Sequence, residues 1–335
     1  MEDKYEIDID ETIENMCVIW KNAKKRGFFN DEKFGWIDKI MEEICKDKRA
    51  LLFFKDVLNS KISEDDERIK EELFYTGYRD LEASEMLYEK GYYEMSVYHL
   101  QQSTEKLSKY WAMEMFKLSS ADIYKMKHRS PEAHLKAMEK MLNKYLYNIG
   151  HIYEDIPPDL GDEPKKMLKE VRKIKQKLNK AKKDEKFLNP SYEDIDYLIK
   201  MMDEIKGMIS KLENTIEEKY RKKIEEFFIM LYERELNEEE ISMVINIFIS
   251  FASMIAATTN LFIISAITFP HEASSRYADK KYLLSPSLYK PGMPLVDRLP
   301  KLIEETKWIW EQFQNIPDIS EEIRKIDCKI RGINP

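Results

Sequence analysis

Glycine, proline and cysteine are scarce in this chain of 335 residues, which has 9 glycines, 12 prolines and 3 cysteines. Glycine and proline disfavour the interior of helices, so their low number, together with abundant Lys, Glu, Leu, Ile and Met, favours helices almost throughout. The sequence also has no internal repeat, no Walker loop, no GxGxxG pattern and no HExxH pattern. These absences argue against the common phosphate-loop and zinc-protease sites.

The three cysteines, Cys17, Cys45 and Cys328, have neither CxxC spacing nor the Cys/His spacing of a zinc site. We therefore expect free, buried thiols, no metal ion and no other cofactor. Residues 1–13 are strongly acidic and lack the basic and apolar regions of a secretory signal peptide. Together these features predict a cytoplasmic protein.

Charged side chains make up 35% of the chain, and acidic residues outnumber basic ones, so the formal net charge is -8. A negative balance argues against nucleic-acid binding by the whole surface, although a local basic patch remains possible. Such a patch is present at residues 165–186, which contain 11 basic and 3 acidic residues. We take Lys169, Arg172 and Lys173 as candidate RNA-binding residues there; a solvated helix face is the alternative.

Residues 241–270 contain no charged residue at all. Asn237 precedes the stretch as a candidate N-cap with Glu240 three residues later, and Phe269-Pro270 ends it because proline cannot continue a helix. The pattern predicts one long, nearly fully buried helix. Neighbouring helices would pack around it.

A charge-free stretch of this length also passes the length test for a membrane span. Ser242, Asn246, Ser250 and Ser253 recur at steps of three or four residues and dilute its hydrophobicity, and Lys and Arg do not crowd its flanks. We therefore favour a buried bundle helix, in which the hydroxyl groups can hydrogen-bond to the backbone one turn earlier. A membrane anchor remains the alternative.

A hairpin of two helices is predicted from residue 68 onwards, with Gly91 between them. Residues 92–109 have the sequence YYEMSVYHLQQSTEKLSK. This resembles the second helix of the HEPN superfamily, with its "YH-x-QQ-x-x-EK-x-x-K" pattern. Residues 127–130, Lys-His-Arg-Ser, lie where the family has a histidine-containing loop, and residues 276–279, Arg-Tyr-Ala-Asp, resemble the family's closing RYPD element.

The resemblance covers residues 68–150 and 237–315, about half of the chain. It departs at Ser96 and Ser103, where the family usually has alanine, and at Ala278, where it has proline. It implies an all-α fold: an elongated helical bundle with a HEPN-like core. We divide the chain accordingly into an N-terminal helical extension (1–62), two halves of the bundle (63–150 and 237–316), a basic helical insertion or pair of arms between them (151–236) and a C-terminal tail (317–335).

An R-x4-H motif at Arg129 and His134 is the sharpest candidate for chemistry. Ser130 is a good N-cap and Pro131 suits the first helical position, so His134 would lie near the first turn of a helix whose free N–H groups attract phosphate. The resemblance implies metal-independent RNA cleavage, with His134 as general acid or base, Arg129 stabilising the phosphorane and His128 assisting. A structural or binding role for these residues is the alternative.

His271, Glu272 and Arg276 form a second candidate site, directly after the long helix. Their spacing allows a plain ion pair between Glu272 and Arg276. The resemblance instead implies that they bind a ligand in the same pocket as Arg129, because the two motifs close the family's bundle at one end.

The sequence and its resemblance to the HEPN superfamily thus predict a cytoplasmic, homodimeric HEPN-like protein that binds or cleaves RNA; if it is an enzyme, we expect a metal-independent endoribonuclease of a toxin-antitoxin or defence system. The dimer would bring two motifs into one cleft. The alternative is a non-catalytic module that binds a nucleotide or a protein and pairs with a nucleotidyltransferase or another partner.

Overall fold

The computed structural model describes residues 63–126, 158–181, 189–215, 237–276 and 285–315, together with Cys17, Val18, Trp20, Lys21, Lys24, Lys25, Glu42, Cys45, Leu135, Lys136, Glu139 and Asn143. Within these residues the regular structure is helical, and no strand occurs. The all-α class predicted from the composition is therefore confirmed.

The described helices form a bundle. In chain order they are α1 (Glu64–Glu89), α2 (Tyr93–Phe116), α3 (Ser120–Met126), α4 (Pro158–Ala181), α5 (Tyr192–Thr215), α6 (Glu238–Thr268), α7 (His271–Ser274), a 3-10 turn (Pro286–Leu288) and α8 (Pro294–Gln314).

The predicted hairpin of α1 and α2 is present. Gly91 lies between the two helices with φ at +79°, in the left-handed region that glycine adopts at little cost. Two buried serines tie the helices together: the Ser84 hydroxyl donates to the Ser96 carbonyl at 2.8 Å, and the Ser96 hydroxyl donates to the Ser84 carbonyl at 2.6 Å. Alanine at position 96 would lose the second of these bonds, because it has no hydroxyl group to donate.

The charge-free stretch forms α6, with the predicted ends. The Asn237 side chain accepts a hydrogen bond from the Glu240 N–H at 3.0 Å, and the Glu240 carboxylate accepts one from the Asn237 N–H at 2.8 Å. This reciprocal capping box satisfies two N–H groups that the helix itself cannot pair. The helix ends at Thr268, with Phe269 as its C-cap immediately before Pro270.

The expectation that α6 is nearly fully buried is wrong for one of its faces. Leu261 and Ile264 are fully buried, whereas Ser242, Asn246 and Ile255 are exposed. Short polar side chains recurring every three or four residues fall on a single stripe of a helix, and here that stripe faces outwards in the N-terminal half. No helix in the described part of the chain is both long and apolar enough to cross a membrane.

Hydroxyl groups line the contact between α6 and α2. Ser108 of α2 lies 3.3 Å from Ser265 of α6, and Thr104 lies 3.4 Å from Thr268, measured between hydroxyl oxygens. Thr268 also donates to the Ile264 carbonyl at 2.9 Å, which is the predicted bond to the preceding turn. These small side chains allow close approach of the helices without leaving their hydroxyl groups unpaired.

The second helix of the inserted segment belongs to the bundle. Ile195, Ile199 and Met202 of α5 pack in the same core as Leu299 and Leu302 of α8. The prediction of two projecting arms is therefore wrong for α5. The apolar face of α5 packs against α6 and α8, so this helix is part of the core and does not project from the bundle.

The two inserted helices begin in different ways. Ser191 caps α5, accepting from the Asp194 N–H at 3.2 Å, and Asp194 accepts from the Ser191 N–H at 3.1 Å. Helix α4 begins at Pro158. Proline is tolerated at the start of a helix because its missing N–H would have no partner there.

A charged pair is buried between α5 and α8. Glu305 is fully buried and accepts a hydrogen bond from Lys206, which also pairs with Asp203 at 3.1 Å. Burial lowers the pKa of Lys206, but the bonds to Glu305 and Asp203 outweigh it and the pKa is raised. Separating the two helices would take Lys206 away from Glu305 and leave only the more distant Lys301 of α8, at 3.8 Å, so the contact favours one register of α5 on α8.

Cys17 and Cys45 form a disulfide bond, with their Cα atoms 5.4 Å apart. The prediction of free thiols is therefore wrong for these two residues, and Cys328 lies outside the described part of the chain. A separation of 28 residues along the sequence carries no signature of pairing; the N-terminal segment must fold to bring the two Cα atoms within disulfide range.

Replacing Gly77 by alanine should destabilise the bundle by about 1 kcal/mol. A Cβ there would lie 3.0 Å from Lys106 Cβ and 3.1 Å from the Trp310 ring, and this overpacking costs more than the higher helix propensity of alanine gains. Gly207→Ala is the matched control, because nothing lies within 4 Å of the new Cβ in the same kind of helix. Urea unfolding should show Gly207→Ala stabilised by up to about 1 kcal/mol. Stabilisation by Gly77→Ala would contradict the close packing.

Candidate functional sites

The R-x4-H motif lies outside the described residues, so the roles of Arg129, His134 and His128 stay predictions. The helix that precedes the motif, α3, packs through Ile123 beside Met113. Arg276 lies beside Tyr98, about 22 Å from Met113 along α2 at 1.5 Å per residue. The expectation that Arg276 shares a pocket with Arg129 likewise stays a prediction.

His271 is part of the protein core. Its side chain is fully buried, Nδ1 lies 2.8 Å from the hydroxyl oxygen of Tyr289, and Nε2 has no hydrogen-bond partner. Burial lowers the pKa of this imidazole to about 4. His271 is therefore neutral at physiological pH, and a ligand could reach it only if the end of α6 opened.

Glu272 and Arg276 form the predicted ion pair, with 3.5 Å between the guanidinium and the carboxylate. Arg276 Nε also donates to the Glu272 carbonyl at 3.3 Å. The guanidinium lies over the ring of Tyr98 at 4.6 Å from its centroid, close enough for a cation–π contact. The residue thus links the segment after α6 to the N-terminal part of α2.

A polar cluster between α1 and α2 holds Asp80, His99 and Lys106. His99 Nδ1 lies 2.9 Å from one carboxylate oxygen of Asp80, and Lys106 Nζ lies 2.5 Å from the other. Burial alone would raise the pKa of Asp80, but the hydrogen bonds from His99 and Lys106 lower it below its usual value. Asp80 is therefore a carboxylate that holds both side chains in place.

The sequence analysis did not identify this cluster, although its residues occur at helical spacing. Asp80 lies three residues after Gly77 and four before Ser84, which places it beside the face that packs on α2. His99 and Lys106 are seven residues apart and therefore lie on one face of α2. The position of Asp80 beside Gly77 and Ser84 was the sequence signal that could have predicted a polar contact between the two helices.

The basic candidates occupy the outer face of α4. Leu168 and Val171 are buried, whereas Lys169, Arg172 and Lys173 are exposed and line a surface depression of about 390 Å³. The same depression is bordered by Lys165 and Gln176. The separation of apolar and basic residues onto two faces shows that the helix packs through one face and presents its positive charge on the other.

Carboxylates neutralise part of this basic face. Glu139 pairs with Arg172 at 3.0 Å and with Lys175 at 2.9 Å, and Glu170 pairs with Lys173 at 2.5 Å. The hydrogen bond from Lys175, followed by that from Arg172, lowers the pKa of Glu139. Exposed pairs of this kind contribute little stability, so a phosphate can compete with them for the same cations.

Among the described residues, no group of three or more His, Cys, Asp or Glu side chains is arranged to hold a metal ion. Comparison with known proteins gives no match: no protein-family model fits the chain, and neither the curated proteins nor the solved structures include a similar one. The HEPN relationship therefore rests on the quoted sequence resemblance alone.

Lowering the pH from 7 to 5 should remove about 2 kcal/mol of stability through His271. The unfolded imidazole titrates near 6.5 and the folded one near 4, so the stability is complete above pH 6.5 and is lost as the pH falls towards 4. We expect this loss in urea unfolding of the wild type but not of His271→Gln. Equal pH slopes in the two proteins would contradict a buried, neutral His271.

Proposed function

We propose that this chain is a HEPN-like protein that binds RNA as a cytoplasmic homodimer and cleaves it without a metal ion, in a toxin-antitoxin or defence setting. The observation that carries the RNA-binding part is the exposed basic face of α4, which comprises Lys165, Lys169, Arg172 and Lys173. The cleavage part rests on the R-x4-H motif in the sequence.

A basic helix face suits a partner with regularly spaced negative charges. Lys169 and Lys173 are four residues apart, so their side chains follow one another along α4 at a spacing of about 6 Å. Adjacent phosphates of a single strand lie at a similar spacing. Binding would release counterions and would be largely independent of base sequence.

Cleavage by the RNA 2′-hydroxyl requires a base, an acid and stabilisation of the phosphorane. His134 would transfer the proton, Arg129 would balance the negative charge on the phosphorus centre, and His128 would assist. One motif supplies too few groups for all of these roles. A two-fold dimer, as the resemblance implies, would place a second copy of each group in the same cleft.

The second candidate is a non-catalytic module that binds a nucleotide or a protein such as a nucleotidyltransferase. One observation favours it: His271 is buried and so unavailable for proton transfer, while Arg276 is engaged with Glu272 and Tyr98. These residues of the second motif therefore hold the fold together. Under this alternative the protein binds without cleaving.

The double variant Lys169→Ala/Lys173→Ala should weaken RNA binding about 25-fold at 0.1 M salt, because each phosphate contact contributes a slope of about 0.7 in a plot of log affinity against log salt. Fluorescence anisotropy with a labelled single-stranded RNA measures both the affinity and its dependence on salt concentration. The matched control is Lys200→Ala/Lys211→Ala, which removes two exposed lysines from α5. An equal loss of affinity in the two variants would show that only net charge matters and would contradict a binding site on α4.

His134→Ala should lower RNA cleavage in EDTA by at least about 100-fold if His134 transfers the proton. The matched control is His151→Ala, which removes a histidine outside the motif. Light scattering must show that both variants keep the oligomeric state of the wild type. Cleavage by the variant at the wild-type rate would contradict the catalytic assignment, and binding without cleavage by the wild type would favour the non-catalytic alternative.

A further inference from the structure

Two links join helical segments near the N-terminus of the chain. Cys17 and Cys45 form the disulfide bond, with their Cα atoms 5.4 Å apart, and Lys24 pairs with Glu42 at 2.9 Å. All four residues have helical backbone. The chain advances from Cys17 to Lys24 on one segment and from Glu42 to Cys45 on the other, so the two segments run antiparallel.

The disulfide is the stronger of these two links. It joins residues that are 28 positions apart, and a cross-link over a loop of this length disfavours opening of the chain by about 100-fold or more. The Lys24 and Glu42 side chains are 42% and 32% exposed, and an exposed ion pair contributes little. Breaking the disulfide should therefore let the two segments separate far more often.

Reducing thiols can reach the bond. Cys17 and Cys45 are both partly exposed, and thiol–disulfide exchange requires that an attacking thiolate reach one of the sulfur atoms. Lys21 is exposed and lies one helical turn after Cys17. A cation at this distance stabilises the thiolate form of Cys17, and a stabilised thiolate leaves more readily when the bond is attacked.

Trp20 connects the disulfide to the packing of the first segment. It follows Cys17 by three residues, so the two side chains share one face of the helix. Its side chain is buried, and Lys24 Nζ lies 4.9 Å from the centroid of its ring. The same Lys24 pairs with Glu42 of the second segment. Separation of the two segments would therefore change the surroundings of a buried, fluorescent indole.

We propose that the Cys17–Cys45 bond is a reversible redox switch. In the oxidised form it holds the two segments together beside Trp20, and in the reduced form it lets them open. The proposal uses the cytoplasmic location from the proposed function, because disulfides of cytoplasmic proteins are usually transient and redox-sensing. It depends neither on RNA binding nor on RNA cleavage.

The reaction is thiol–disulfide exchange with a dithiol. One thiolate of the dithiol attacks Sγ of Cys45, the bond between the two cysteines breaks, and its electron pair leaves with Cys17. The second thiolate of the dithiol then attacks the mixed disulfide and releases Cys45. The dithiol is oxidised to a disulfide, the cystine gains two electrons, and the two cysteine thiolates take up the two protons that the dithiol has lost.

The test compares the oxidised and reduced full-length protein under native conditions. Dithiothreitol supplies the dithiol, and alkylation followed by peptide mass spectrometry reports the state of each cysteine. Amide hydrogen exchange in the peptide that contains Trp20 should become about 100-fold or more faster on reduction, while exchange in α2 stays unchanged. Oxidised glutathione should restore slow exchange. A bond that resists dithiothreitol in the folded protein, or reduction without faster exchange, would overturn the proposal.

Variants identify the bond that responds. Cys17→Ser/Cys45→Ser should exchange like the reduced wild type and ignore dithiothreitol, whereas Cys328→Ser, the matched control, should keep the full response. Reduction of the wild type tests the same bond without a substitution, so the result does not depend on the folding of the double variant. A dithiothreitol response that persists in the double variant would overturn the proposal.

Tryptophan fluorescence checks the connection to Trp20. Reduction should change the emission of the wild type, and this change should be absent in Trp20→Phe. A change of equal size in Trp20→Phe would contradict the opening of the segments beside Trp20.

The outcome is distinguishable from that of the proposed function. A reversible redox response in a protein that neither binds nor cleaves RNA would retain the switch and reject the proposed function. A thiol-resistant bond in a protein that binds RNA would do the reverse.

Discussion

The structure depends on burying the C-terminal half of α6. Leu261, Ile264 and their neighbours lie against α2, α5 and α8, and each such side chain contributes about 1.5–3 kcal/mol relative to an exposed one. The surrounding helices share one core with it, which includes Leu107 of α2, Ile195 of α5 and Leu299 of α8. A charge anywhere on the buried face would have to be paired or neutralised, which explains why that face of residues 241–270 carries none in a chain rich in charge.

Polar contacts then choose one arrangement among the many that apolar packing alone permits. The hydroxyl contacts between α2 and α6, the serine pair in the hairpin and the buried Lys206–Glu305 pair each require a particular register. Sliding one helix by a turn would leave these groups buried without partners, at a cost of about 1–3 kcal/mol for each neutral group. The core supplies most of the stability, and these contacts supply its specificity.

Burial also distinguishes the histidines that hold the fold together from those that a ligand could reach. His99 and Arg276 both contact the Tyr98 ring, and both are at least partly exposed. His271, only five residues before Arg276, is fully buried inside the bundle. The two histidines, His99 and His271, therefore have different environments and different uses. Burial and the direction of the partner, rather than residue type or motif membership, decide which histidine can meet a ligand.

Local sequence signals determined the helices. Helix ends and turns are set by Asn237 with Glu240, by Ser191 with Asp194, by Gly91 and by Pro270, because each acts on the backbone within four residues. The composition predicted the all-α class. Tertiary structure alone decided that α5 joins the core, that Cys17 meets Cys45, and that His99 is oriented by Asp80 near Arg276. Such contacts join residues far apart in the chain, and a pattern of apolar positions is compatible with many pairings. Only the packed bundle, with its close fits and interhelix hydrogen bonds, selects one of them.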